Sequence, residues 1–304
     1  RNGVLDPKPV AGLPEIASGG QGGLLDVVLH PAFSENRLIY FSYAARGKSG
    51  RGTEVARARF DGKRLRDVDV IFRTKPKTRS QVHFGSRLLF APDGLLYITL
   101  GDKGDRRQAQ LLATHPGSMI RVRDDGSVPK DNPFIGKDRV LPEIFSYGHR
   151  NIQGMALHPG TGQIWTHEHG PRGGDELNIL KRGVNYGWPK ITYGLEYSGG
   201  IVSKHSALPG MAQPIIYWIP SIAPSGMAFY SGDKFPQWKG DLFVGALAHR
   251  HLRRLELKGD TVVGQEILLK KLGARIRDVR MGPDGYLYVL TDSRRGKLLR
   301  LEPS

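Results

Sequence analysis

The sequence predicts an all-β chain: a six-bladed β-propeller of four-stranded antiparallel blades, with the first blade shortened. Two observations carry this expectation. Glycine and proline are abundant, 40 and 20 of 304 residues, which suits many tight turns better than long helices. One phrase also recurs along the chain: a short run rich in Leu, Val, Ile, Tyr and Phe, a Gly/Pro/Asp turn, and a second such run, the composition of a β-hairpin.

The hairpins follow one another in order. The clearest are LLFAPDGLLYITLGD (88–102) and VRMGPDGYLYVLTD (279–292). Looser copies are DVVLHPAFSENRLIYFSYA (26–44), GMALHPGTGQIWTHEHG (154–170) and GMAFYSGDKFPQWKGDLFVGAL (226–247). Third strands follow several copies, in EVARARF, SMIRVRDDGS, DELNILKRG, HLRRLELKGD and KLLRLEPS. Copies begin roughly 50–70 residues apart, the period of four-stranded blades with inserted loops. The opening RNGVLDPKPVAGLPEI reads as the outer part of a further blade, which makes six, with a five-bladed ring as the rival. A two-sheet sandwich does not naturally repeat one hairpin five times. Residues 1–304 are read as a single domain.

Composition narrows the chemistry. There is no cysteine, so disulfides, thiolate metal sites and thiol nucleophiles are excluded. Lys and Arg outnumber Asp and Glu by 45 to 29, a formal charge of +16. The basic residues are scattered and form no nucleic-acid motif, so no nucleic-acid partner is expected. No run approaches the ~20 apolar residues of a membrane span.

In a propeller, polar groups flanking inner strands converge at one mouth of the axial channel. His83, in RSQVHFGSRLLF, begins one inner strand, and Asp102 ends its hairpin partner. A hairpin brings these two positions to the same end, and a carboxylate beside an imidazole fixes its tautomer and raises its basicity. GHRNIQG supplies Arg150 and Asn151, GGQGGLL supplies Gln21, and GARIRDVR supplies Arg275 and Arg277, at equivalent places in three other blades. Guanidinium forks and amides suit a carboxylate-bearing ligand. In HEHGPRGGDELNILKRGVNYGWP, Glu176, the Tyr186 region and the Gly170-Pro171 turn offer the oxygen ligands that calcium prefers, without any D-x-D-x-D-G loop. A transition-metal pair of His167 and His169 is disfavoured, because Glu168 faces the other way and no third ligand is evident.

HFGSRLLFAPDGLLYITLGDKGD, SYGHRNIQGMALHP, HEHGPRGGDELNILKRGVNYGWP and RIRDVRMGPDGYLYVLTD resemble, in order, the soluble quinoprotein aldose sugar dehydrogenases that use pyrroloquinoline quinone (PQQ). The resemblance runs from Gly19 to about Asp292. It implies a six-bladed propeller that oxidises the anomeric hydroxyl of aldose sugars to lactones, with electrons passed to an external acceptor. It further implies His83 as general base, Asp102 as its partner, and Gln21, Arg150, Asn151, His169, Tyr197, Arg275 and Arg277 around PQQ. One calcium would be held against PQQ by the carbonyls of Gly170 and Pro171, and another by Glu176 and the carbonyl of Tyr186. Periplasmic or secreted placement is expected from the family and from calcium and PQQ use. No leader pattern is visible in the sequence.

Three departures from the glucose dehydrogenase branch stand out. Val82 replaces an acidic residue before the histidine, Ala248 lies near a lysine position, and His169 replaces a glutamine. A calcium-dependent propeller hydrolase of lactonase type and a non-catalytic polyanion-binding propeller stay open as alternatives. The first needs a metal ringed by carboxylates. The second accounts for the basicity but not for the His83–Asp102 pair.

Overall fold

The structure, a computed structural model, describes residues 4–303. Among them are five antiparallel sheets, each opening on an inner strand. The first sheet contains β1 (Leu24–Leu29), β2 (Leu38–Gly47), β3 (Gly50–Phe60) and β4 (Leu65–Arg73). The second contains β5 (Leu88–Phe90), β6 (Leu96–Thr99), β7 (Ser118–Val122) and β8 (Ile144–Tyr147). The third is β9 (Ile152–Leu157), β10 (Ile164–Glu168), β11 (Asp175–Ile179) and β12 (Ile216–Trp218). The fourth is β13 (Pro224–Phe229), β14 (Leu242–Ala246), β15 (His251–Lys258) and β16 (Thr261–Leu268). The last has three strands, β17 (Ile276–Met281), β18 (Leu287–Thr291) and β19 (Leu298–Arg300).

The expectation of six blades is corrected to five. The stretch read as the outer part of a further blade lies along the first sheet, as far as it is described; residues 1–3 fall outside the described part. Leu65 N–H donates to the Ala11 carbonyl at 2.8 Å, and Ala17 N–H donates to that of Ala44 at 2.8 Å. Ile16 packs on the cluster of Phe41, Tyr43 and Ala58. The segment is thus tied to a blade that already has four strands through Ile16 and Ala17, while Val4, Leu5, Val10 and Leu13 stay exposed.

Neighbouring sheets are joined by apolar layers, the burial that drives the ring together. Tyr40, Val55, Leu96, Ile98 and Ile120 join the first to the second sheet. Met119, Phe145, Ile152 and Met155 join the second to the third. Trp165, Leu177, Leu242 and Val244 join the third to the fourth, and Phe243, Ile276, Val279 and Leu287 join the fourth to the fifth. Between the fifth and first sheets the described residues form no such layer. The link there is ionic: Arg280 on β17 contacts Asp26 on β1 at 2.6 Å and Asp278 at 2.9 Å. Arg87, just before β5, reaches Asp278 at 3.0 Å and Asp26 at 3.7 Å, and its Nε donates to the Gln153 carbonyl on β9 at 2.8 Å. One guanidinium therefore ties four inner strands across the axis. Burial works against the Asp278 carboxylate, but Arg87 and Arg280 hold it below the usual range.

Candidate active site

Strand geometry places the His83–Asp102 pair. Antiparallel pairing of β5 with β6 brings the residues before β5 and after β6 to one end. His83 Nδ1 lies 2.6 Å from Asp102 Oδ1. The same oxygen accepts the Gly104 N–H at 2.7 Å, and Trp188 Nε1–H donates to Oδ2 at 2.8 Å. With the carboxylate satisfied by donors on both oxygens, His83 Nδ1 carries the proton and Nε2 keeps a free lone pair.

The loop bearing His83 is held in an unusual shape. His83 sits at φ 50°, Gly85 at φ 61° and Ser86 at φ 89°. A Cβ on Gly85 would meet the backbone of Leu100 at 2.6 Å, so only glycine fits there. Four contacts fix the loop: Gln21 Oε1 accepts the His83 N–H at 2.7 Å, Asn151 Oδ1 accepts the Gly85 N–H at 3.1 Å, Thr53 Oγ1–H donates to the Phe84 carbonyl at 2.9 Å, and Lys103 Nζ donates to the Val82 carbonyl at 2.8 Å. The Lys103 ammonium also lies 3.0 Å from the centre of the Phe84 ring.

Beside this loop is a cavity of 520 Å³ at the mouth of the channel. Five of the residues anticipated around a cofactor line it: Gln21, Asn151, His169, Arg275 and Arg277. Arg87 and Gln153 also line it, and Gly20, Gly22 and Gly23 form a glycine wall. Its polar groups are almost all donors. Asn151 spends its oxygen on Gly85, which leaves the amide NH₂ for a ligand. Arg275 and Arg277 share one counterion, Asp292, at 2.9 and 3.0 Å; despite burial, the two guanidiniums hold that carboxylate below its usual range. Burial, with the charges of Arg150 and Arg277, pushes His169 down to about 4. Its Nε2–H donates to the Pro224 carbonyl at 2.6 Å, so the neutral ring keeps Nδ1 as an acceptor. His83 itself lies just outside the cavity wall, next to Phe84 and Gly85, which line it.

A second, narrow cavity of 10 Å³ adjoins the first across His169 and is lined by Arg150, Glu168, Gly170, Glu176, Tyr186 and Trp188. It has room for about one water-sized sphere. Glu168 is held by the Arg150 N–H at 2.5 Å and by His149 Nδ1 at 2.9 Å. Burial, then the charge of Glu168, pushes the Glu176 carboxyl well up. The carbonyls of Gly170 and Pro171 accept no hydrogen bond among the described residues. The buried Glu168, the half-buried Glu176 and two spare carbonyls offer oxygen ligands of the kind a hard divalent ion takes, beside the Arg150 guanidinium on the same cavity. No group of three or more His, Cys, Asp or Glu side chains converges among the described residues, so any ion here relies on main-chain oxygen.

Two other residues anticipated around the cofactor, Arg150 and Tyr197, do not line the large cavity. Arg150 stands over the Trp188 ring at 5.3 Å and donates to the His169 carbonyl at 3.1 Å, on the narrow cavity. Tyr197 sits 72% exposed in the turn closed by the Leu195–Ile201 bridge, away from the large cavity. His167 lies fully buried against Gly154, with neither ring nitrogen hydrogen-bonded. Sequence reading missed Trp188, Lys103, Arg87 and Glu168. NYGWP held the only available signal for Trp188, a buried donor-bearing aromatic in a turn.

Comparison with known proteins gives the family. The family model described as Glucose / Sorbosone dehydrogenase matches residues 1–300. The aldose sugar dehydrogenase YliI of Escherichia coli is 47% identical over 300 residues, covering 97% of this chain and 81% of that protein. A crystal structure of a glucose dehydrogenase, 50% identical, superposes with a TM-score of 0.96 over 97% of this chain and 87% of that one. The PQQ-bound aldose sugar dehydrogenase of Streptomyces coelicolor is 29% identical, with a TM-score of 0.79 over 96% and 83% of the two chains. The chain belongs to the glucose and sorbosone dehydrogenases, a family of oxidoreductases.

Proposed function

We propose that this protein oxidises the anomeric hydroxyl of aldose sugars to lactones with PQQ as cofactor and calcium as its ion, and passes the electrons to an external acceptor. The supporting observation is the His83–Asp102 pair abutting a donor-lined cavity. A planar tricarboxylate suits the cavity's chemistry: Arg275, Arg277, the Asn151 amide and the glycine wall offer positive charge and N–H groups, and the walls place no carboxylate against it. When bound, the cofactor supplies the two-electron acceptor.

The chain supplies the rest. His83 Nε2 takes the proton from the anomeric hydroxyl, and Asp102 stabilises the imidazolium that forms. The four contacts on the Val82–Ser86 loop keep that nitrogen in place. Neutral His169 adds an acceptor without adding charge. The Gly170 and Pro171 carbonyls would hold one ion beside the cofactor, and Glu176 with the Tyr186 carbonyl would hold another. Under the same reading the protein works in the periplasm or outside the cell, where calcium is plentiful and a cysteine-free chain gives up nothing to oxidation.

The test is reconstitution with PQQ and Ca²⁺, followed by dye reduction over a panel of aldoses. Sugar-dependent reduction is expected, with a loss of roughly a hundredfold or more in His83→Ala, the usual scale for a general base. A folded protein that neither binds PQQ nor reduces dye overturns the reading.

A further inference from the structure

The cavity accounts for only a small part of the +16 charge. Three loops at its mouth, on the side of the fourth and fifth sheets, hold a concentrated share. The β14–β15 turn carries Arg250 beside Leu247 and Ala248, which line the cavity. The connection from β16 to β17 carries Lys270, Lys271 and Arg275, and the β18–β19 turn carries Arg294, Arg295 and Lys297. All seven are exposed, and the only carboxylate in these loops is Asp292, already paired with Arg275 and Arg277.

The loops form one surface. Lys270 Nζ donates to the His249 carbonyl at 2.6 Å, Arg250 reaches the Gly273 carbonyl at 3.4 Å, and Asp292 N–H donates to the Arg275 carbonyl at 2.8 Å. Lys271, Arg294 and Arg295 make no hydrogen bond or ion pair among the described residues, so their charges face solvent. The turn itself is set for display, because His249 and Arg250 both adopt left-handed backbone, at φ 62° and 51°. In the sequence these residues are scattered apart from small clusters such as HRHLRR (249–254); the fold gathers them.

We propose that this basic rim is the docking surface for an acidic, one-electron redox protein that reoxidises the enzyme. The proposal rests on the dehydrogenase reading above. Oxidation of each sugar to its lactone removes two electrons and two protons, so two acceptor molecules are each reduced by one electron and two protons are released to solvent. A positive rim next to the cavity raises the encounter rate of an acidic partner and holds it where electrons leave.

The experiment uses two c-type cytochromes of opposite net charge, one acidic and one basic, alongside an uncharged dye. First, the wild-type protein without cofactor is immobilised and cytochrome association is measured across ionic strength. The acidic cytochrome is expected to bind with an association rate that falls about tenfold or more between 20 and 200 mM salt. The basic cytochrome should not bind. The variant Lys271→Glu/Arg294→Glu/Arg295→Glu should lose at least tenfold in that rate. Lys239→Glu/Lys258→Glu, at the opposite end of the blades, should not. Second, in the reconstituted enzyme the triple variant should lose acidic-cytochrome reduction by a similar factor and keep dye reduction. If the dye assay fails in the wild type, the dehydrogenase reading falls. If dye reduction is intact but the two cytochromes behave alike, or the triple variant binds the acidic one normally, docking is overturned. Tight binding to anionic lipid vesicles or nucleic acid with no acidic-cytochrome preference also overturns it.

Discussion

Lys103 lies 4% exposed between the Val82 carbonyl and the Phe84 ring. Burial, opposed by Asp102 and reinforced by Arg51, brings its amine from the usual 10.5 down to about 7. An amine with a depressed folded pKa binds fewer protons than the unfolded chain between about 7 and 10.5. Stability therefore rises with pH across that window and is lost as pH falls through it. Lys103→Met should remove this slope: measured by thermal melts, the wild type gains on the variant by a few kcal/mol between pH 7 and pH 10. Equal slopes in the two proteins would show that the ammonium is well solvated. At this scale His83 and Asp102 were legible because hairpin geometry alone dictates that they meet. Trp188 was not, since its bond to Asp102 spans 86 positions and leaves no periodic trace. Tyr197 rested on likeness of motif alone, and its exposed place in a long loop had no sequence signal.

Among the elements, all five hairpins and their third strands were readable. Alternating apolar runs around Gly/Pro/Asp turns have few other stable solutions. The opening segment was misassigned because composition does not say which sheet an extended segment lies against; its place is set by the Ala11 and Ala17 backbone bonds and by Ile16 packing on the first blade. The inner strands crowd together at Gly226 on β13, where a Cβ would meet the backbone of Asp278 and Val279 on β17 at 2.6 Å. Gly226→Ala should therefore force β13 away from β17 and lower stability by about 1–3 kcal/mol, read from denaturant midpoints at unchanged m-value. An unaffected midpoint would mean that the fourth and fifth sheets slide apart freely.

For the whole molecule, four inter-sheet junctions are apolar and the fifth is ionic. Apolar junctions carry no charge to screen, whereas this one pairs the half-exposed Arg280 with the buried Asp26, so salt screens it only in part. Arg280→Ala leaves Asp26, 7% exposed, without its closest cation. The expected cost is about 3 kcal/mol, with opening of the first against the last sheet seen as faster amide exchange in β1 and β17. Uniform exchange across all five sheets would show that the seam has no special role. The number of blades was the least legible property of all. A sequence displays the hairpins it contains, but whether a ring closes on five or six depends on how the last sheet meets the first.

Arg87 has a kinetic consequence. By bonding to β1, β9 and β17 from the end of the β5 loop, it spans the inner strands where it lines the cavity. If this span leaves the mouth as the one approach, the cavity admits one visitor at a time. Under the dehydrogenase reading, the lactone must then depart before an acceptor can approach the reduced centre. Initial-rate plots of reciprocal velocity against reciprocal sugar concentration, taken at several acceptor concentrations, should give parallel lines. Intersecting lines would mean that sugar and acceptor share the mouth, and that the channel has a second way out.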